Sequence, residues 1–334
     1  MAMALKSCFP EPETEIVRKS FNDFTIVLPA DFQLESGDVL NTKSLKVRLQ
    51  GNQDGPKILC LGGISASRIV ADDDAGEKGW WRDFVGYGAA VDLDKFCIVG
   101  FDFLPGNDTD TITITTRDQA RALAYALSSL NIERVESFIG CSYGGMVALA
   151  FASLYPEKTG QLCVISAADK AHPAAIAQRG VQRRILALAD SCGKPEEGVA
   201  LARQLAMISY RSAEEFDKRF SGQAGPQNGD SYDVCEYLIA RGEQCAMSLH
   251  CYMALSDSID RHNIDPASIA VPTLLIASDS DHLVFPTDMQ RLQSGLNAPC
   301  EYHEISSLYG HDAFLKEAAA IGPVLARHLE QSCA

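Results

Sequence analysis

Gly140-Cys141-Ser142-Tyr143-Gly144-Gly145 follows the apolar run Val135 to Ile139 and opens the Ala-rich segment Met146 to Leu154. A Gly-x-Ser-x-Gly placed between a strand and a helix reads as a nucleophile elbow, a sharp turn that lifts a serine hydroxyl above the end of a sheet. The serine of such a turn sits in a strained backbone conformation with its neighbours tightly packed. The flanking positions, here Gly140 and Gly144, therefore need to lack a Cβ. The five-residue pattern also arises by chance, so its position between strand and helix carries the reading.

Outward from the elbow, strand and helix alternate. Lys57 to Leu61, Phe96 to Phe101 and Leu162 to Ser166 are short apolar runs of the kind buried on both faces of a parallel sheet, and Arg117 to Leu130 has helical spacing of Ala and Leu. Phe24 to Leu28 and Leu45 to Leu49 predict an antiparallel start to the sheet. From Lys170 to Asp265 the sequence turns helical, with segments at Ile176 to Ala189, Val199 to Ile208, Ala213 to Phe220 and Val234 to Met253. Strand rhythm resumes at Thr273 to Ala277 and Glu301 to Ile305, and a last helix is expected from Asp312 to about Gln331. The expected class is α/β: a mostly parallel sheet flanked by helices, formed by residues 1–169 and 266–334, with residues 170–265 as an inserted helical lid. A separate helical interaction domain is the alternative reading of that block.

Composition narrows the function. Of 334 residues, 46% are apolar and 22% charged, an ordinary globular balance. The net charge of −15 argues against a general nucleic-acid or anionic-membrane surface but leaves room for a small phosphorylated ligand on a local basic patch. No apolar run approaches the ~20 residues of a membrane span, and Met1 to Glu15 lacks the basic and apolar regions of a secretion signal, so a cytoplasmic protein is expected. The eleven cysteines are scattered, odd in number and without Cys-x-x-Cys pairs, which predicts free, mostly buried thiols and no metal site.

A serine hydroxyl needs a base, and the base an orienting acid. In the α/β-hydrolase fold they follow in the order serine, acid, histidine, the acid after a late strand and the histidine after the last. Asp281, in Ser278-Asp279-Ser280-Asp281-His282-Leu283, follows Thr273 to Ala277, with Asp279 and Asp169 as rivals near other strand ends. His311 follows Glu301 to Ile305. The other six histidines lie in a strand (His303), the last helix (His328), the helical block (His172, His250, His262) or beside the acid (His282). Two backbone N–H groups are needed for an oxyanion hole: Tyr143 supplies one, and the loop Gly62-Gly63-Ile64-Ser65 the other, at Ile64.

Together, Leu61-Gly62-Gly63-Ile64-Ser65, Gly79-Trp80-Trp81, the elbow through Met146, Val181-Gln182-Arg183-Arg184 and Tyr309-Gly310-His311-Asp312-Ala313-Phe314-Leu315 resemble the homoserine O-acyltransferases of methionine biosynthesis, from about residue 57 to residue 320. The resemblance implies an α/β-hydrolase-fold enzyme that moves acetyl or succinyl from coenzyme A to the hydroxyl of L-homoserine, with acyl-CoA as co-substrate and no permanently bound cofactor. It implies Ser142 as nucleophile, Asp281 as acid and His311 as base. It further implies that Asp312 holds the acceptor's amino group and that Arg183, or else Arg184, holds its carboxylate. A homodimer through the apolar lid helices is also implied. Tyr143 replaces a methionine found in many relatives, and Phe101-Asp102-Phe103-Leu104-Pro105-Gly106 stands where a longer loop is usual. The shorter form resembles a succinyl-transferring subgroup and favours succinyl-CoA. Serine as acceptor, hydrolysis by an esterase or thioesterase, and a non-catalytic binding protein are the competing readings.

Overall fold

A computed structural model of the protein describes residues 20–41, 43–106, 112–222 and 232–332. The Met1 to Glu15 reading lies outside them. The sheet core comprises β1 (Phe21–Val27), β2 (Ser44–Gly51), β3 (Lys57–Leu61), the two-residue pair β4 (Val85–Gly86) and β5 (Val91–Asp92), β6 (Cys97–Phe101), α1 (Thr116–Ser129), β7 (Val135–Cys141), α2 (Tyr143–Leu154) and β8 (Thr159–Ile165). Five helices follow: α3 (Pro173–Ser191), α4 (Pro195–Tyr210), α5 (Ala213–Arg219), α6 (Asp233–Glu243) and α7 (Leu249–Arg261). The chain then completes the sheet with β9 (Thr273–Ser278), α8 (Pro286–Gly295), β10 (Cys300–Ile305), α9 (Ala313–Lys316) and α10 (Ala318–Ser332).

The eight-stranded sheet runs β1-β2-β6-β3-β7-β8-β9-β10, antiparallel across its first two pairings and parallel beyond them. This is the mostly parallel α/β arrangement expected from the sequence. Strands β3, β6, β7 and β9 are apolar and buried on both faces, because helices cover both sides of the sheet. The nucleophile strand β7 lies between β3 and β8, and the loops after β9 and β10 open at the same carboxyl ends, where parallel sheets bind ligands.

Although five helices separate them in sequence, β8 and β9 are hydrogen-bonded neighbours. Lys170 and Asn263 form an antiparallel bridge where the chain leaves and returns, and the Ile264 N–H donates to the Asp169 carbonyl at 2.9 Å.

Two expected helices are divided. Val234 to Met253 splits into α6 and α7: α6 ends at Glu243, and Ser248 restarts the helix as an N-cap, its Oγ accepting from the Cys251 N–H. The last helix breaks at Glu317. There Trp81 Nε1 donates to the Phe314 carbonyl at 2.9 Å, taking the acceptor that a continuous helix would offer to the Ala318 N–H. Periodicity alone did not anticipate α8; Pro286 at its first position and Asp288 in its first turn are its start signals.

Candidate active site

Ser142 sits between β7 and α2 with φ 55° and ψ −121°. A non-glycine residue there carries strain of about 1–3 kcal/mol, held by the packing around it. Both flanking glycines are required by contact. A Cβ on Gly140 would lie 2.4 Å from the Gly144 carbonyl oxygen, and one on Gly144 would lie 2.3 Å from that of Leu61. The Gly144 N–H donates to the Gly62 carbonyl at 2.8 Å, fastening the elbow to the Gly62-Gly63-Ile64-Ser65 loop. Tyr143 is the first residue of α2, so helix geometry leaves its N–H without an intrahelical acceptor. Ile64, Tyr143 and Ser142 line one cavity.

The structure brings Ser142, His311 and Asp281 into a chain of hydrogen bonds. Ser142 Oγ lies 2.8 Å from His311 Nε2, and His311 Nδ1 lies 2.7 Å from Asp281 Oδ2. Asp281 is buried, and its Oδ1 accepts the N–H groups of Leu283 at 2.8 Å and Val284 at 3.0 Å, which holds the carboxylate plane in place. The rivals are engaged elsewhere. Asp279 accepts from the Ser307 N–H, and Asp169 pairs with Arg291 at 2.9 Å. Burial disfavours the His311 imidazolium, but the charge and hydrogen bond of Asp281, with Asp312 adding, outweigh it and raise the His311 pKa above its usual value.

The short 3₁₀ turn Gly310–Asp312 presents His311 and Asp312 side by side. Gly310 has φ 60°, and a Cβ there would lie 2.7 Å from the Tyr210 carbonyl oxygen, so the turn nests against the end of α4. Ser212 Oγ, which caps α5, also donates to the Leu308 carbonyl. The five-helix segment is thereby fixed to the histidine loop.

The cavity has a volume of about 280 Å³ and is bounded by sheet loops and by α3, α4 and α7. Arginines 179, 203, 211 and 241 line it, and Asp312 is the acid among its lining residues. Arg211 is buried, pairs with Glu215, and lies 3.4 Å from Asp312. Burial raises the Asp312 pKa, against the opposing pull of Arg211, His311 and Arg203.

Arg183 and Arg184 are not among the residues that line the cavity. Gln178, Arg179 and Gln182 occupy the cavity face of α3, whereas Arg183 turns toward α7, donating to Ser256 O and Oγ at 3.0 Å each and pairing with Asp260 at 2.7 Å. Arg184 is exposed. Sequence reasoning missed all five lining cations, Arg179, Arg203, Arg211, Arg241 and Lys316, of which Arg179 and Arg211 bear most on the chemistry. Arg179 lies on α3 and Arg211 at the end of α4, neither with a motif around it, and only the fold joins Arg211 to Asp312, about a hundred positions away.

The two departures from the relatives' pattern pack together. Tyr143 is buried, its hydroxyl 2.7 Å from Ser258 Oγ and its ring edge-on to Phe103 at 4.9 Å. Phe103 belongs to the short segment that replaces the longer loop.

The nine cysteines among the described residues are unpaired, and Cys60, Cys97, Cys141 and Cys163 are buried. No helix among the described residues is long and apolar enough to cross a membrane.

The chain matches the α/β-hydrolase fold family over residues 56–318. It is 41% identical over 285 residues to the homoserine O-succinyltransferase of Xanthomonas campestris pv. campestris, covering 84% of this chain and 77% of that one. It is 28% identical over 359 residues to the serine O-succinyltransferase of Litchfieldella anticariensis, with 92% and 98% covered. The crystal structure of esterase E22 superposes with a TM-score of 0.81 at 20% identity, over 92% of this chain and 100% of that one, a likeness of fold. The breadth of the family match and the identity to the Xanthomonas protein show that this chain belongs to the homoserine O-acyltransferase family of the α/β-hydrolase fold.

Proposed function

We propose that the protein transfers an acyl group, succinyl in preference to acetyl, from acyl-CoA to the hydroxyl of L-homoserine through an acyl-enzyme on Ser142. The observation that carries this reading is the Arg211–Asp312 pair in the same cavity as the Ser142–His311 hydrogen bond. A zwitterionic amino acid needs one fixed cation for its carboxylate and one fixed anion for its ammonium, and an acceptor held there has its hydroxyl beside His311. Plain ester hydrolysis requires neither.

In the first half-reaction, His311 Nε2 takes the Ser142 proton as Oγ attacks the thioester carbonyl. The N–H groups of Tyr143 and Ile64 receive the oxyanion. The C–S bond breaks and His311 returns the proton to the departing sulfur. In the second, His311 takes the proton of the homoserine hydroxyl, whose oxygen attacks the acyl carbon, and Ser142 leaves with that proton. Asp281 holds the imidazole in the tautomer that presents Nε2 to Ser142 and stabilises the imidazolium formed in each half-reaction.

Arg211, rather than Arg183 or Arg184, grips the acceptor carboxylate, and Asp312 its ammonium. Succinyl carries a further carboxylate. Asp260 is shared by Arg179 and Arg183, which leaves that wall with a surplus positive charge, and Arg179 is close enough to act on the His311 charge. Arg179 is the residue we assign to the succinyl carboxylate. The 41% identity to a homoserine O-succinyltransferase supports the same donor, and the 28% identity to a serine O-succinyltransferase keeps serine as the second acceptor to test.

Residues 170–265 form the lid of this reading and residues 1–169 and 266–334 its catalytic core, with the Lys170–Asn263 bridge at the junction. A homodimer joined through the lid is supported by exposed apolar pairs seven residues apart: Val181 and Leu188 on α3, Leu201 and Ile208 on α4. Cytoplasmic residence agrees with the buried free thiols.

Incubation with succinyl-CoA alone, followed by acid quench and peptide mass mapping, tests the intermediate. A succinyl group on the Ser142 peptide, discharged by adding homoserine, is the expected result. Homoserine-dependent turnover by Ser142→Ala at the wild-type rate would overturn it.

A further inference from the structure

We propose that Arg203 and Arg241 form a phosphate-binding station for the nucleotide end of the acyl-CoA donor; this rests on the acyl-CoA reading above. A second cavity, of about 470 Å³, adjoins the first and shares Ile64, Ser65, Ala66, Arg203 and Arg241 with it. The two spaces are thus one path from Ser142 outward between the Ile64–Ser67 loop and the connection from α6 to α7, and both arginines stand at the neck.

Neither guanidinium has a carboxylate partner among the described residues. Arg203 projects from α4, half-buried, with the Tyr210 ring 5.3 Å away, and exposed Arg241 projects from α6 over Tyr237 at 5.6 Å, donating to Gln244 Oε1 at 3.2 Å. A guanidinium in no direct ion pair keeps its fork of donors available to an incoming anion. The one acid lining the second cavity, Asp102, is already held by the Arg68 guanidinium at 3.1 Å and its N–H at 2.7 Å. In a chain of net charge −15, this stretch of wall is locally positive, with Asp312 of the inner cavity acting on Arg203 without an ion pair between them.

Arg203 faces both cavities, its Cζ 5.3 Å from the Tyr210 ring, whose centroid is 6.0 Å from that of His311, while exposed Arg241 stands on the solvent side of the neck. The pantetheine arm of coenzyme A is built to separate thioester from phosphates, and the outer cavity gives it a path away from Ser142. The wall between is neutral, with Ser65, Ser248, Met247 and Leu255 suited to an arm of amides and methylenes. Guanidinium forks match phosphate oxygens.

The test compares two donors that differ only in their phosphates, succinyl-CoA and succinyl-pantetheine, in wild type and in Arg203→Met, Arg241→Met and the double variant, following thiol release. Loss of two charge-assisted contacts should raise the KM for succinyl-CoA by about tenfold to a hundredfold in the double variant while kcat holds, and the KM for succinyl-pantetheine should stay within about twofold. The Arg203→Lys, Arg241→Lys protein should recover most of the affinity. Adenosine 3′,5′-bisphosphate should compete with succinyl-CoA in wild type and weaken as a competitor in the double variant. Equal losses on both donors, or no loss on either, would overturn the assignment. Thiol release reads thioester cleavage whether homoserine or water is the acceptor, so a wild-type protein that yields only free succinate would refute the transferase reading without blurring this one.

Discussion

His311 is raised in pKa because burial, which opposes its charge, is outweighed by Asp281 and Asp312. In the proposed mechanism it must be neutral to accept the Ser142 proton, so kcat/KM should climb with pH through a midpoint above the ordinary histidine value of about 6.5. Asp281→Asn should lower kcat by about 10⁴ and move that midpoint down, because the charge that holds the proton is gone. A pH–rate profile of the two proteins checks both; an unmoved midpoint would mean that Asp281 does not act on His311. The sign for stability follows from the same shift. The His311–Asp281 ion pair stabilises the fold fully below the unfolded histidine pKa, and that contribution disappears as pH rises through the raised folded value.

The elbow is the element on which the site depends, and Gly144 is its tightest point. Gly144→Ala would drive a Cβ into the Leu61 carbonyl at 2.3 Å, so it should cost about 1–3 kcal/mol in urea unfolding and sharply reduce labelling of Ser142 by a reactive-serine probe. Unchanged labelling would show that the turn can relax. This element was legible in the sequence because its requirements are local: small residues, a strand before and a helix after. The strands, their order of appearance and the positions of Asp281 and His311 were legible for the same reason. Two helix breaks were not; one of them is set by a Trp81 indole more than two hundred residues away, which ends α9. Arg183 was chosen from a motif, yet helical rotation decides which arginine of α3 lines the cavity, and Arg179 does. No sequence neighbourhood marks Arg211 at all; its meaning comes from the turn that sets Asp312 beside it.

At the scale of the whole molecule, one chain supplies Ser142, His311, Asp281, Arg211 and Asp312, so each subunit should be self-sufficient in chemistry. The exposed apolar pairs on α3 and α4 serve the proposed dimer. Leu188→Glu with Leu201→Glu should shift the sedimentation coefficient to that of a monomer while thiol release per chain persists; an unshifted dimer would place the interface elsewhere. The fold itself is shared with esterase E22, so architecture does not separate transfer from hydrolysis. In the proposed reading, what separates them is the cation and anion that an amino-acid acceptor needs, set beside the base.

Mass spectrometry of the products formed from succinyl-CoA or acetyl-CoA with homoserine or serine tests that claim directly. O-succinylhomoserine as the dominant product, with free succinate minor, is the predicted result. Free acid in every pairing would show that water is the acceptor and that Arg211 and Asp312 hold no amino acid.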